Sequence, residues 1–387
     1  MTRGSTAEAR YLAALPLLDD AAQRAAGLAE LRACADQGFG PAAYHLAWLA
    51  LSDAQDDTAA LGWLNAAIAA GYPHALYAAG LLWARLNDLD RCLNALARAA
   101  LAGDTLAFYP LGRRLAADDN HPAGRAAGAF WLGLAGREQY FAALEYLAAR
   151  PGLLKAADPR AAEALTRELA APAADLSLPD WPATVLAEPV THCPAPEVLT
   201  IDDFIDTDEC AHLMHLAEPL LQRSRVGDPD SGGPRVLEVR TSDDAVISAE
   251  RRDLHFLLLE QRLAAAAGQP ASNAEPFTII RYPPGGEYRP HHDFFAPGSG
   301  DEAAQQRRGG QRIWTAFVYL CDVQAGGETH FPELQITIAP RRGRLLMFSN
   351  VDATGRPEPR TLHASLPVKH GEKWIATKWF RQSALDT

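Results

Sequence analysis

Cysteine is scarce here and falls into no pairing pattern. The five residues, at positions 34, 92, 193, 210 and 321 of 387, include no CxxC and show no regular spacing. A chain of this length can bury a core without covalent staples, so these read as reduced thiols, which excludes a disulfide-built secreted scaffold. Long apolar runs are also missing. None reaches the roughly 18 residues that a bilayer span requires, and residues 1–20 lack the charged-then-apolar order of a secretory signal. The expectation is a soluble, cytoplasmic protein. Basic charge is in short supply as well: 36 Lys+Arg against 48 Asp+Glu leave a net −12. Residues 1–170 hold 15 basic against 18 acidic groups, and residues 171–387 hold 21 against 30, so the second part is the more acidic. That opposes a nucleic-acid partner, whose phosphates need basic clusters. One buried cation could still bind a small anion locally.

What is present is ordinary globular material, 48% apolar and 22% charged, enough for two or three domains. Residues from about 8 to 170 are rich in Ala and Leu with helical periodicity, which favours helix. They also repeat. Gly38, Gly71 and Gly103 are each followed by Ala at +4 (Ala42, Ala75, Ala107) and Tyr at +6 (Tyr44, Tyr77, Tyr109). A small residue stands at +9 each time: Ala47, Gly80, Gly112. A period of 32–33 residues predicts stacked helix pairs, with Gly ending one helix and small residues admitting the next. The pattern resembles the Sel1-like and tetratricopeptide α-solenoids, with a degenerate fourth unit near 125–150. An irregular Ala-rich bundle is the alternative reading. Six prolines (172, 179, 182, 189, 194 and 196) then mark residues 171–196 as a linker, one that could lie against either domain. Beyond it the pattern predicts a strand over 197–204, helices over 208–223 and 250–267, and β-structure to the end.

The chemistry is carried by the second part. In a strand, residues two apart share a face, so His291 and Asp293 project together and His292 points away. One imidazole and one carboxylate on a strand, with a distant second imidazole, make a two-His-one-carboxylate triad that leaves three positions open on Fe(II). The chain offers His363 as the third ligand, followed ten residues later by Lys373. A 2-oxo acid chelating the metal would need a fixed cation for its far carboxylate, and Lys373 can supply it. By alternation along 373–381, Lys373, Ile375, Thr377, Trp379 and Arg381 share one face.

These residues sit in a wider pattern. Tyr282, Gly285, Tyr288, His291 and Asp293 form a YxxGxxYxxHxD segment. Arg312 to Leu320 and Asp322 to Pro332 read RxxTxxxYLxDVxxGGETxFP, Arg240-Thr241-Ser242 reads RTS, and Lys373-Trp374 to Lys378-Trp379 closes the set. Over about 185 residues this resembles the prolyl 4-hydroxylases, Fe(II)/2-oxoglutarate-dependent dioxygenases. The resemblance implies an α+β multidomain chain. Residues 1–170 would be the helical repeats, 171–196 the linker, and 197–387 a double-stranded β-helix (jelly-roll) oxygenase domain.

It further implies Fe(II) on His291, Asp293 and His363. The co-substrates would be 2-oxoglutarate and O2, with ascorbate as a candidate reductant. Lys373 would hold the 2-oxoglutarate carboxylate with Tyr282 and Thr329 as hydroxyl donors, and Arg312 and Trp379 would lie towards the substrate, with a structural ion pair as the equal alternative for Arg312. Arg381 departs from the family, many of whose members have His there, and leaves open a different substrate. Glycines 285, 286, 326 and 327 read as turn residues. The Gly-rich segments 227–238 and 296–311 are candidate closing loops. The expected substrate is a prolyl residue in a peptide or protein, with a free amino acid or natural-product intermediate as the alternative. The repeats would bind a protein partner or self-associate. A binding scaffold with an inactive oxygenase domain is the reading from another class.

Overall fold

Three glycines set the rhythm of the first unit. Gly38, Gly71 and Gly103 all adopt the left-handed conformation, with φ of 83°, 71° and 88°, which only glycine takes without strain. Each ends a helix and starts the turn into the next element. The computed structural model describes residues 3–54, 56–117, 121–171, 175–179, 187–224, 226–227, 234–235, 239–248, 252–296, 305 and 308–385. They fall into two units, Met1–Ala183 and Thr184–Thr387.

Among the described residues the first unit is all helix: α1 (Arg3–Leu18), α2 (Arg24–Asp36), α3 (Gly40–Leu49), α4 (Asp57–Ala69), α5 (Pro73–Arg85), α6 (Leu89–Leu101), α7 (Phe108–Leu115), α8 (Pro122–Arg137), α9 (Phe141–Ala148) and α10 (Pro159–Ala170). The helices pack in successive pairs, α1 with α2, α3 with α4, α5 with α6 and α7 with α8, the arrangement of a helical repeat. The small residues at +9 explain the closeness. A Cβ on Gly80 would stand 2.7 Å from Leu96 Cγ, and one on Gly112 would stand 2.8 Å from the Leu132 nitrogen. The +4 alanines are fully buried. Helices α8 and α9 occupy the place of the degenerate fourth unit. No helix among the described residues is long and apolar enough to cross a membrane.

The stretch expected to be a linker is divided. Residues 175–178 lie extended on the helices, with Leu176 and Leu178 buried. Val190–Pro194 forms β1, an edge strand of the large sheet, where proline removes no needed ladder bond. Pro172 and Pro182 lie outside the described residues. The predicted strand at 197–204 is β2 (Glu197–Ile201). The helix predicted over 208–223 is shorter: α11 (Thr207–Ala217) starts on an Asp206/Glu209 capping box and gives way to a 3-10 turn at Pro219. Between them and α12 lie β3 (Gln222–Arg223), β4 (Val226–Gly227), β5 (Pro234–Arg235) and β6 (Asp243–Val246). Helix α12 (Leu254–Ala267) is capped by Asp253 and closed by Gly268; residues 249–251, the start of the prediction, lie outside the described residues.

The remaining strands are β7 (Thr278–Tyr282), β8 (Tyr288–His291), β9 (Arg312–Tyr319), β10 (Ala325–Gly326), β11 (Thr329–Phe331), β12 (Ile336–Ile338), β13 (Leu345–Ser349), β14 (His363–Ser365), β15 (Val368–His370) and β16 (Lys373–Arg381). They form an eight-stranded sheet in the order β1-β2-β13-β9-β16-β7-β6-β3 and a four-stranded sheet in the order β12-β11-β14-β8. The pairings are antiparallel. Phe331 and Ile338 of the small sheet meet Ile280, Phe317, Tyr319 and Phe348 of the large one in a single buried cluster. This is the jelly-roll that the resemblance implies, and the candidate site lies between its sheets.

Candidate metal centre and anion cavity

Sheet register brings the site together. On the small sheet His291 of β8 stands opposite His363 of β14, and Thr329 of β11 opposite Ser365. On the large sheet Lys373 of β16 stands opposite Tyr282 of β7, and Trp379 opposite Thr315 of β9. All eight line one cavity together with Asp293, Arg240, Tyr288 and Thr377. Strand β8 ends at His291, so Asp293 lies just past the strand rather than on it. Its carboxylate still turns inward, and His292 turns away to donate from Nε2 to the Pro359 carbonyl at 2.9 Å.

One donor atom each from His291, Asp293 and His363 lies within 4.8 Å of the others. His291 Nε2 is 3.7 Å from Asp293 Oδ1, and His363 Nε2 is 3.8 Å from Oδ2. The tautomers follow from chemistry. His291 Nδ1 donates to the Arg289 carbonyl at 2.9 Å and His363 Nδ1 to the Thr361 carbonyl at 3.0 Å. A carbonyl can only accept, so the proton sits on Nδ1 and both Nε2 lone pairs face the centre. Burial, and then the charge of His363, pushes His291 down to about 3. Burial also lowers His363, so both rings stay neutral. Burial alone would raise Asp293, but His363, His291, Arg312 and the Trp379 hydrogen bond outweigh it and hold the group ionised. Two neutral imidazoles and one carboxylate, with open space on one side, suit a divalent iron.

Asp293 is itself held in place. Its Oδ2 accepts from Thr315 Oγ1 at 2.7 Å and Trp379 Nε1 at 3.0 Å. Asn350 Nδ2 donates in turn to Thr315 Oγ1 at 2.9 Å. Tyr288 stacks on His291 with ring centroids 3.5 Å apart.

The cation is at the far end of the cavity. Lys373 is 1% exposed, and its Nζ donates to Ser365 Oγ at 2.8 Å. The rings of Tyr282 and Tyr319 lie 5.2 and 5.6 Å away. Among the described residues no carboxylate pairs with it. Burial pushes its pKa down to about 7. A buried ammonium without a counter-ion is costly, and a dianionic ligand would complete it. Thr329 Oγ1 bonds to the Tyr319 hydroxyl at 2.7 Å, and Arg240 Nε donates to Ser242 Oγ at 3.0 Å.

Arg312 and Arg381 are not among the described residues that line the cavity. A register shift between Phe380 and Arg381 sets Arg381 opposite Arg312 instead of Ile313. Both guanidiniums converge on Glu275, Arg312 through two 2.7 Å bonds and Arg381 through Nε. Arg381 also donates to the Gly310 carbonyl and to Gln305 Oε1. Arg312 lies 4.1 Å over the Trp379 ring and bonds the Asp293 carbonyl at 3.3 Å, next to the metal ligands. Of the four turn glycines, 285, 326 and 327 have positive φ. Gly286 instead packs against the Pro283 carbonyl, which an added Cβ would meet at 2.7 Å. The candidate closing loops, over residues 228–233, 236–238, 297–304 and 306–307, lie outside the described residues.

Ser365, Thr315, Tyr319, Asn350 and Glu275 were not picked out from the sequence. The period-two rule carried on from His363 reaches Ser365, and within β9 it joins Thr315, Phe317 and Tyr319. Nothing in the sequence points to Glu275, whose partners are 37 and 106 residues away.

Residues 277–381 match the model of the 2OG-Fe(II) oxygenase superfamily. The chain is 35% identical over 204 residues to prolyl 4-hydroxylase 1 of Arabidopsis thaliana, across 49% of this chain and 70% of that protein. A viral collagen prolyl hydroxylase from Paramecium Bursaria Chlorella virus-1, solved as a 2OG complex, aligns with 48% of this chain and 95% of its own at 28% identity and a TM-score of 0.38. A Sel1 repeat protein from Oxalobacter formigenes aligns with 42% of this chain and 73% of its own at 20% identity and a TM-score of 0.32.

Proposed function

The chain belongs to the prolyl 4-hydroxylase family of Fe(II)- and 2-oxoglutarate-dependent dioxygenases, and from that premise we propose that it hydroxylates a prolyl residue in a peptide or protein. His291, Asp293 and His363 hold the iron in this reading, and Lys373 holds the far carboxylate of 2-oxoglutarate. The observation that carries it is the pairing of three convergent metal-donor atoms with one unmatched buried ammonium in the same cavity. Bound iron and 2-oxoglutarate together supply activation of O2 for attack on an unactivated C–H bond, with succinate and CO2 as co-products. The protein's part is positioning. The Arg289 and Thr361 carbonyls fix the two imidazoles, and Thr315 and Trp379 orient Asp293. Lys373, with Ser365 and the two tyrosine rings, fixes the co-substrate's register. The buried walls of Ile280, Phe317 and Ile375 exclude water.

The engagement of Arg381 with Glu275, Gly310 and Gln305 counts against a free amino acid whose carboxylate would be held by Arg381. We further assign the helical unit to protein contact and place the chain in the cytoplasm, since its five cysteines are free thiols. The test is mass spectrometry of proline-containing peptides and of free L-proline after incubation with Fe(II) and 2-oxoglutarate. A one-oxygen gain on peptide is expected. Turnover of free proline with none on any peptide would refute the peptidyl substrate.

A further inference from the structure

An extended segment outside a sheet must find partners for its main chain elsewhere. Residues 175–178 find theirs on side chains of three helices. The Leu178 N–H donates to Asn65 Oδ1 at 2.8 Å, and the Leu178 carbonyl accepts from Asn65 Nδ2 at 2.9 Å. One amide side chain thus grips both polar groups of one residue. The Leu176 carbonyl accepts from Trp83 Nε1 at 3.0 Å and the Asp175 carbonyl from Arg91 Nε at 3.0 Å. Asn65, Trp83 and Arg91 stand on α4, α5 and α6. The Arg91 guanidinium lies 4.6 Å over the Trp83 ring and bonds Asp88 at 2.7 Å, which fixes its direction. Burial alternates along the segment. Asp175, Ser177 and Pro179 are exposed, and Leu176 and Leu178 are each 2% exposed.

This is how a peptide is held in an extended-chain groove: polar groups read the main chain, and alternate side chains fill pockets. We propose that the α4–α6 face is a peptide-binding groove, occupied here by the chain's own residues 175–178, and that its external ligand is an extended Leu-X-Leu segment of a partner protein. The four helix-to-strap bonds carry no sequence information, so any extended chain can make them. Helical ligands are excluded, because their N–H and carbonyl groups are used internally and cannot both face Asn65. Selection falls to the two leucine positions. The strap is a built-in competitor, joined to the helices through a few residues of chain, with an effective concentration on the order of millimolar. An external segment must therefore outcompete it or meet a chain in which it has been released. The groove is independent of the oxygenase chemistry.

The probe is a fluorescent synthetic peptide of residues 171–182, added to the full chain. In a Leu176→Ser/Leu178→Ser variant, which frees the groove, the peptide should bind at least tenfold more tightly than to the unaltered chain. Adding Asn65→Ala to that variant should abolish binding, and a peptide with both leucines replaced by serine should not bind. A second measurement needs no variant. Hydrogen–deuterium exchange of the fragment containing Leu178 in the unaltered chain should accelerate when unlabelled peptide is added in excess. Failure of the peptide to bind a released variant that melts like the unaltered chain overturns the proposal. So does unchanged exchange at millimolar peptide, whether or not the variant folds.

Discussion

Lys373 is the residue on which the co-substrate reading can be broken. Its ammonium is buried with one neutral hydrogen-bond partner, so replacing it by Ala should weaken 2-oxoglutarate by on the order of 2–5 kcal/mol, the range for removing one partner of a buried charge pair. Metal affinity, measured by calorimetry, should stay put. The pH dependence has a definite sign. Burial lowers Lys373 from its usual 10.5 to about 7, so above pH 7 the empty cavity holds mostly the amine. Binding a carboxylate there should take up a proton, seen as a dependence of binding heat on the buffer's ionisation enthalpy, and absent well below pH 7. Between about 7 and 10.5 the unfolded chain binds the extra proton, so this group's contribution to stability improves as pH rises. Lys373→Met should therefore raise the melting temperature most at and below neutral pH and least towards pH 10. At the metal, His291→Ala should abolish iron binding and His292→Ala should leave it intact, because only the first imidazole faces Asp293. Equal damage from both would overturn the assignment. His291 and Asp293 were legible from residue type and a period of two, and His363 and Lys373 from residue type, spacing and the family motif. Asn350 was not, since it acts through Thr315, 35 residues away.

At the scale of elements, the β9–β16 pair decides what enters the cavity. Alternation along β16 held for Lys373, Ile375, Thr377 and Trp379, all of which line it. At Arg381 the guanidinium is taken up by Glu275 beside an irregularity in the ladder, which leaves no mark in one strand's own pattern. Glu275 then serves two guanidiniums. Burial would raise its pKa, but Arg312 and Arg381 outweigh that and lower it. Its stabilisation is thus present above the ordinary carboxylate range and is lost as pH falls through its depressed pKa. Glu275→Gln leaves two cations facing each other and should cost about 3–5 kcal/mol, the range for breaking a buried pair. Chemical denaturation at pH 7 would measure it, and a loss below about 1 kcal/mol, the scale of an exposed pair, would show the network to be solvated.

At the scale of the whole molecule, the helical half was legible through its glycine period, and the jelly-roll through family motifs more than through strand patterning. The boundary was read less well. A proline-rich stretch looks like a uniform linker, yet 190–194 pair into the oxygenase sheet and 175–178 are bound to helices, contacts that depend on Asn65 and Trp83 more than ninety residues upstream. Residues 184–387 expressed alone should keep uncoupled turnover of 2-oxoglutarate to succinate. A soluble fragment that binds iron but shows no turnover would mean that the first unit completes the site. A helical fragment ending at residue 179 should melt above one ending at 171, the difference reporting the strap.

The pairing of Arg381 with Glu275 also governs electroneutrality. The charged groups that line the cavity are then Asp293, Lys373 and Arg240, and Arg240 is answered by Asp244 at 3.2 Å. A ferrous dication and the dianion of 2-oxoglutarate bring that total to zero. The filled pocket then presents no net field to whatever approaches. A proline inside a peptide bond, uncharged at nitrogen and carbonyl alike, meets a neutral surface, whereas a zwitterionic amino acid would have to bring both its charges to a pocket already in balance.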